Sequence, residues 1–193
     1  DHFYAQYFQQ ARLWGAKVVR LPIHPQSWKA KGPEKSIELI DQAIEWCADQ
    51  DMYVIIDFHS IGSLVTNWFQ DKYYECTQQE FDEFWSKIAE KYKNDSRVAF
   101  YELFNEPVIS ETGWEFTEQD WQKQRDWAEA QIDKIRKIDP DKPITVGGLS
   151  WCYNLSHVVA NNENRVRRDN IIYTVHPYPN GNLPWDDYFG SLK

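Results

Sequence analysis

Apolar positions recur at helical spacing in four stretches, and after each comes a short, nearly continuous apolar run. Phe3, Tyr7, Ala11 and Trp14 share one face and stop at Gly15, a residue suited to a left-handed cap, before VVRLPI (18–23). Ser36 is a plausible N-cap for a helix carrying Ile37, Ile40, Ile44 and Cys47, which leads into MYVIIDFH (52–59). Thr77 to Glu80 has the capping-box pattern and opens a helix with Phe81, Phe84, Trp85, Ile88 and Tyr92, followed by VAFYELF (98–104). The pattern returns at Thr117 to Asp120, with Trp121, Ala128, Ile132 and Ile135, and yields ITVGGL (144–149). A weaker fifth helix precedes NIIYTVH (170–176).

Strands that read as apolar runs and alternate with helices are parallel and covered by those helices. The class is α/β. No glycine-rich phosphate turn of the GxGxxG or GxxxxGK[ST] kind follows the first strand, which argues against a doubly wound nucleotide-binding sheet. Polar residues instead gather where the strands end: Arg20 and His24, Asp57 and His59, Asn105 and Glu106, Ser150, then His176 and Tyr178. A (β/α)8 barrel collects its chemistry at those ends. Pro107, with no N–H to donate, is expected to turn the chain away after Glu106. Five strands in 193 residues are fewer than the eight, in about 250 residues, that close such a barrel. The expectation is one domain over residues 1–193, cut at both ends, whose unpaired edges would make it aggregate alone.

Composition narrows the partners. A net charge of −9 without a basic stripe excludes the counterion-release affinity of nucleic-acid binders. No stretch approaches the ~20 apolar residues of a membrane span. The start lacks a signal-peptide layout. Cys47, Cys76 and Cys152 are too few and too scattered for a disulfide framework or a CxxC metal site. His24, Asp57, His59 and His176 raise the alternative of a metal-dependent barrel hydrolase, but no HxH or HExxH spacing supports it, so neither metal nor cofactor is expected. Each loop after a strand carries a tryptophan, namely Trp28, Trp68, Trp114, Trp151 and Trp185. Indole faces in five of five loops suit the apolar faces of sugar rings. Trp85, Trp121 and Trp127 fall within helices and are assigned to packing.

VVRLPI, IIDFHS, FYELFNEP and TVHPYP, in this order with helices between, resemble glycoside hydrolase family 5, retaining glycosidases on a (β/α)8 barrel. The resemblance covers about barrel strands 2 to 6. It implies that Glu106 is the general acid/base and that Asn105 bonds the sugar 2-hydroxyl. It also implies that Arg20 orients the nucleophilic carboxylate, that His59, His176 and Tyr178 line the same subsite, and that Tyr178 bonds the nucleophile. Retaining hydrolysis needs a protonated and an ionised carboxyl roughly 5 to 5.5 Å apart. The family's nucleophile is a glutamate at the seventh strand, and no residue of this sequence is given that role; Glu163 lies in a polar stretch with no strand before it. Asp57 and Glu102 share parity with His59 and Glu106 and are expected to point inward below the site, as partners of Arg20.

The expected activity is endo-β-1,4-glucanase-like hydrolysis of a β-linked polysaccharide. The alternatives are a β-mannanase or other β-glucan hydrolase, or a non-catalytic carbohydrate-binding barrel fragment. The complete protein is expected to be a monomer without cofactors, acting outside the cell or at its surface, because polymeric substrates do not enter cells.

Overall fold

The computed structural model describes residues 4–178. Five parallel strands form the main sheet: β1 (Val18–Ile23), β2 (Tyr53–Phe58), β5 (Val98–Glu102), β7 (Ile144–Gly147) and β8 (Ile171–Thr174), side by side in chain order. Between them run α1 (Ala5–Leu13), α2 (Pro25–Lys31), α3 (Pro33–Ala48), α4 (Gln78–Tyr92), α5 (Glu118–Arg136) and α6 (Ser156–Ala160). Sequential parallel pairing with helices between successive strands is part of a (β/α)8 barrel, with β1 and β8 as the two edges among the described residues.

The register divides the sheet into two faces. Leu21, Ile56, Tyr101, Ile144 and Ile171 are partners across the strands, and Ile56, Tyr101 and Ile144 are wholly buried against the helices. The opposite parity aligns Pro22, Asp57, Glu102 and Thr145. One side of the sheet is therefore an apolar core, and the other carries a polar row.

The helices form where capping and amphipathicity coincide. Both expected capping boxes are present: Thr77 with Glu80 opens α4 and Thr117 with Asp120 opens α5. Phe81, Phe84, Trp85, Ile88 and Tyr92 of α4 and Trp121, Ala128, Ile132 and Ile135 of α5 are buried. Gly15, at φ +91°, ends α1 as expected.

Three expectations fail. Helix α3 begins at Pro33 rather than at Ser36, which is buried inside it, because proline's fixed φ suits a first helical position. In α1 the core contact is Phe8, against Trp46, while Tyr7 and Trp14 face outward. Pro107 does not end the pairing: β6 (Glu106–Pro107) runs parallel to β3 (Ile61–Ser63), which pairs antiparallel with β4 (Trp68–Phe69). A strand tolerates proline where the partner does not need its N–H, and here Glu106 and Val108 make the flanking bonds, to the carbonyls of Ser60 and Gly62. This second, three-stranded sheet sits over the ends of β2 and β5 and carries Glu106. No helix of the described residues is long and apolar enough to cross a membrane.

Candidate active site

A chain of charged contacts crosses the C-terminal ends of the strands. His59 Nδ1 is 2.6 Å from Asp57 Oδ2, which also receives the Arg20 guanidinium at 2.9 Å. Arg20 Nε donates to Glu102 Oε2 at 2.5 Å, and another of its nitrogens donates to Asn105 Oδ1 at 2.6 Å. On the far side of Glu102, His176 Nε2 stands 3.6 Å from Oε1, an ion-pair separation too long for a direct hydrogen bond. The other ring nitrogen of His176, Nδ1, meets Glu106 Oε1 at 2.9 Å. Pairwise register explains the convergence: Asp57 and Glu102 are direct partners on the inward row, and Arg20, on the same face of β1, is long enough to reach both.

Burial and charge set the protonation of this chain. Burial pushes the Asp57 carboxyl up to about 6 against the pull of His59 and Arg20. For Glu102, burial alone would raise the carboxyl, but His176 and Arg20 outweigh it and hold it below the usual range. Burial alone would lower His176, yet the Glu102 and Glu106 carboxylates outweigh that and raise it to about 9. At neutral pH His176 is thus a cation, and its Nδ1–H donates to Glu106 Oε1. Asp57 Oδ1, Glu102 Oε1 and Thr145 Oγ1 are buried without hydrogen-bond partners.

Of the residues expected at the site, Arg20, His59, Asn105, Glu106 and His176 come together. Glu106 is 7% exposed and Asn105 2%, so both are buried beyond the end of β5. The partners of Arg20 are Asp57, Glu102 and Asn105, in line with the expectation of inward carboxylates beneath the site. Tyr178 is half exposed and its backbone is pinned on Tyr153, whose hydroxyl accepts the Tyr178 N–H at 2.8 Å. The negative charge of Glu106, then burial, raises the Tyr178 phenol above its ordinary value.

The tryptophans divide. Trp28 is not a cleft residue: it lies in α2, 8% exposed, edge-on to Phe84 at 4.7 Å. The segment taken for a loop is a helix because Pro25 opens it and Gly32, at φ +78°, lets the chain leave it. Trp68 is part of β4 and half-buried. Trp114 and Trp151 lie 5.5 Å apart with their rings tilted by 52°, and Trp114 lies the same distance from Tyr153, itself 6.1 Å from Tyr178. Trp114, Trp151, Tyr153 and Tyr178 thus form an aromatic wall that reaches Glu106's neighbourhood. Trp185 lies outside the described residues.

Further residues pack around the site: Gln70 and Cys152 had no site signal in the sequence, whereas His24 was among the polar residues read at the strand ends. Gln70 accepts the Trp151 Nε1–H at 2.6 Å. His24 stands edge-on to His59 at 4.6 Å and stacks on Tyr74 at 5.4 Å. Cys152 is wholly buried behind Asn105 and Glu106. Among the described residues no group of three or more His, Cys, Asp or Glu is arranged to hold a metal ion.

A model of the cellulases, glycosyl hydrolase family 5, matches residues 3–188. The chain belongs to glycosyl hydrolase family 5. Endoglucanase A of Butyrivibrio fibrisolvens is 30% identical over 171 residues, covering 86% of this chain and 35% of that protein. Endoglucanase Z of Dickeya dadantii is 29% identical over 167 residues, covering 86% of this chain and 34% of that protein. Among solved structures, a β-glucanase of Saccharophagus degradans in complex with cellotetraose superimposes with a TM-score of 0.86 at 34% identity, covering 97% of this chain and 58% of that one. The chain spans about a third of the length of these two endoglucanases and a little over half of the β-glucanase chain. Asn105, Glu106, His59, His176 and Tyr178 lie just beyond the C-terminal ends of β5, β2 and β8, and Arg20 reaches Asn105 and Asp57 from within β1.

Proposed function

We propose that the protein hydrolyses β-linked glucan, β-1,4-glucan foremost, by double displacement with retention of configuration, and that Glu106 is its general acid and base. The observation that carries this reading is the buried Glu106–His176 contact of 2.9 Å beyond the strand ends, near aromatic side chains suited to sugar rings. Glu106 gives its proton to the glycosidic oxygen as the bond to the anomeric carbon breaks, while a second carboxylate attacks that carbon from the opposite face. Glu106 then takes a proton from the water that releases the sugar. Asp57 and Glu102 are bonded to Arg20 and buried, so neither is assigned the attack. Asn105 is held by Arg20 on its Oδ1 and bonds the 2-hydroxyl of the sugar at the point of cleavage.

The relatives' names support this substrate: two endoglucanases and a β-glucanase seen with cellotetraose. Because a glucan polymer does not enter cells, the protein acts outside the cell or at its surface. The test is turnover and binding of the full-length protein with cellulose oligomers and with mannan, for wild type and Glu106→Gln. Turnover on cellulose oligomers that is lost in Glu106→Gln, with oligosaccharide binding retained, supports the reading. Turnover on mannan alone overturns the substrate, and binding without any turnover in the wild type overturns the activity.

A further inference from the structure

Ser150, Trp151 and Cys152 are consecutive non-glycine residues with φ of 56°, 55° and 61°. L-residues avoid that region because the Cβ crowds the following carbonyl, so a run of three persists only where the surroundings hold it. All three are held. Ser150 Oγ donates to the Gly113 carbonyl at 2.6 Å, and the Trp151 N–H donates to the Pro107 carbonyl at 3.3 Å. The Cys152 thiol donates to the Asn105 carbonyl at 2.9 Å, and the Cys152 carbonyl accepts the His176 N–H at 3.1 Å. The sulfur fills a slot left open by Gly147, where an added Cβ would lie 2.0 Å from it.

These last two bonds fall on either side of one contact. Asn105 carries the peptide group that leads into Glu106, and His176 is the residue that Glu106 meets. The two come from strand ends that are not neighbours, because β7 lies between β5 and β8. Among the described residues, Cys152 alone bonds to both.

We propose that Cys152 is a positioning residue: its thiol and its carbonyl, presented by the left-handed turn, set the spacing of the Glu106–His176 pair. Burial keeps the thiol well above its ordinary pKa, so it stays an S–H donor and not a thiolate. The groups facing His176 are Glu102 and Glu106 from the end of β5 and beyond, and Cys152 from the turn, with Tyr178 two residues on and Arg20 and Asp57 behind Glu102. Of these, Glu102 and Glu106 raise His176, and loosening the turn moves Glu106 away from it.

The experiment uses the full-length protein with Cys152→Ala and Cys152→Ser. Its first readout is the titration of the His176 ring by NMR, its second the pH profile of kcat on a soluble β-glucan. Only the second rests on the proposed activity. In Cys152→Ala the His176 midpoint is expected to fall by about one unit toward the free-imidazole value, because the carboxylate is held less closely. The alkaline limb of kcat moves with it, about tenfold in rate above that limb, while KM changes little. Cys152→Ser keeps a donor for the Asn105 carbonyl and restores both. Should Cys152→Ala not fold, Cys152→Gly, which suits φ near +61° and also lacks the donor, replaces it with the same expectation. An unshifted His176 midpoint in a folded, donor-less variant overturns the proposal and leaves Cys152 a packing residue. A wild type that turns over no β-glucan overturns the proposed function, while the His176 midpoints still decide the role of Cys152.

Discussion

Arg20 Nε and Glu102 Oε2 meet at 2.5 Å across the sheet interior, and the same guanidinium reaches Asp57 at 2.9 Å. One cation therefore serves two carboxylates that are 0% and 4% exposed. Removing it leaves Asp57 with His59 and Glu102 with His176 as their remaining charged or hydrogen-bonding partners, both still buried. Arg20→Ala should cost about 3 kcal/mol, the lower end of the range for breaking a buried pair, since the Arg20 side chain is 32% exposed. Arg20→Lys should recover only part, because an ammonium cannot present the planar fork that spans Glu102, Asp57 and Asn105. Urea unfolding of the three proteins measures this.

His176 ties stability to alkaline pH. Its folded-state pKa is raised to about 9 from the ordinary 6.5, so the folded state holds the proton more tightly than the unfolded chain. The resulting stability is fully present below pH 6.5 and is lost as pH rises through 9. His176→Gln lacks this contribution at every pH. The gap in melting temperature between wild type and His176→Gln should be largest near pH 6.5 and should narrow by pH 9.5; a gap that stays constant over that interval excludes the ion pair.

Trp28 and Trp151 separate packing from binding. Trp28→Ala should destabilise by about 3 to 5 kcal/mol, as for other buried aromatics, and should leave oligosaccharide affinity unchanged at temperatures where the protein stays folded. Trp151→Ala should cost little stability and weaken oligosaccharide binding by about 1 kcal/mol, the scale of one aromatic face. Chemical denaturation and calorimetric titration with cellotetraose distinguish the two.

Gly113 supports the same wall from beneath. It sits at φ +65°, and an added Cβ would lie 2.0 Å from the Trp151 ring. Gly113→Ala should therefore push the indole out of place, changing tryptophan fluorescence and lowering oligosaccharide affinity, beyond the roughly 1 kcal/mol that alanine costs in this backbone region.

The parallel sheet was legible because buried parallel strands are continuous apolar runs: VVRLPI is β1 residue for residue. Helices α4 and α5 were legible because a capping box and an apolar stripe agreed in each. Helix α2, at seven residues, is too short to show a period. The β3–β4–β6 sheet consists of strands two or three residues long, and its partners are set by tertiary position. The aromatic spacing of α1 resembled a core stripe, but only Phe8 of that helix is buried. At the site, residues aligned by strand parity were readable, Asp57, Glu102 and Arg20 among them. Cys152 was not, since a left-handed turn built from serine, tryptophan and cysteine carries none of the glycine or asparagine that marks such a turn.

The most direct test of Glu106 as the proton donor is the dependence of rate on the leaving group in Glu106→Ala of the full-length protein. An aryl β-cellobioside with an acidic phenol needs no protonation to depart, whereas a cellulose oligomer does. Without the acid, formation of the glycosyl-enzyme intermediate should be nearly unimpaired for the aryl substrate and slowed by about 10²- to 10⁴-fold for the oligomer. Equal losses on both substrates, or none on the oligomer, would contradict the assignment.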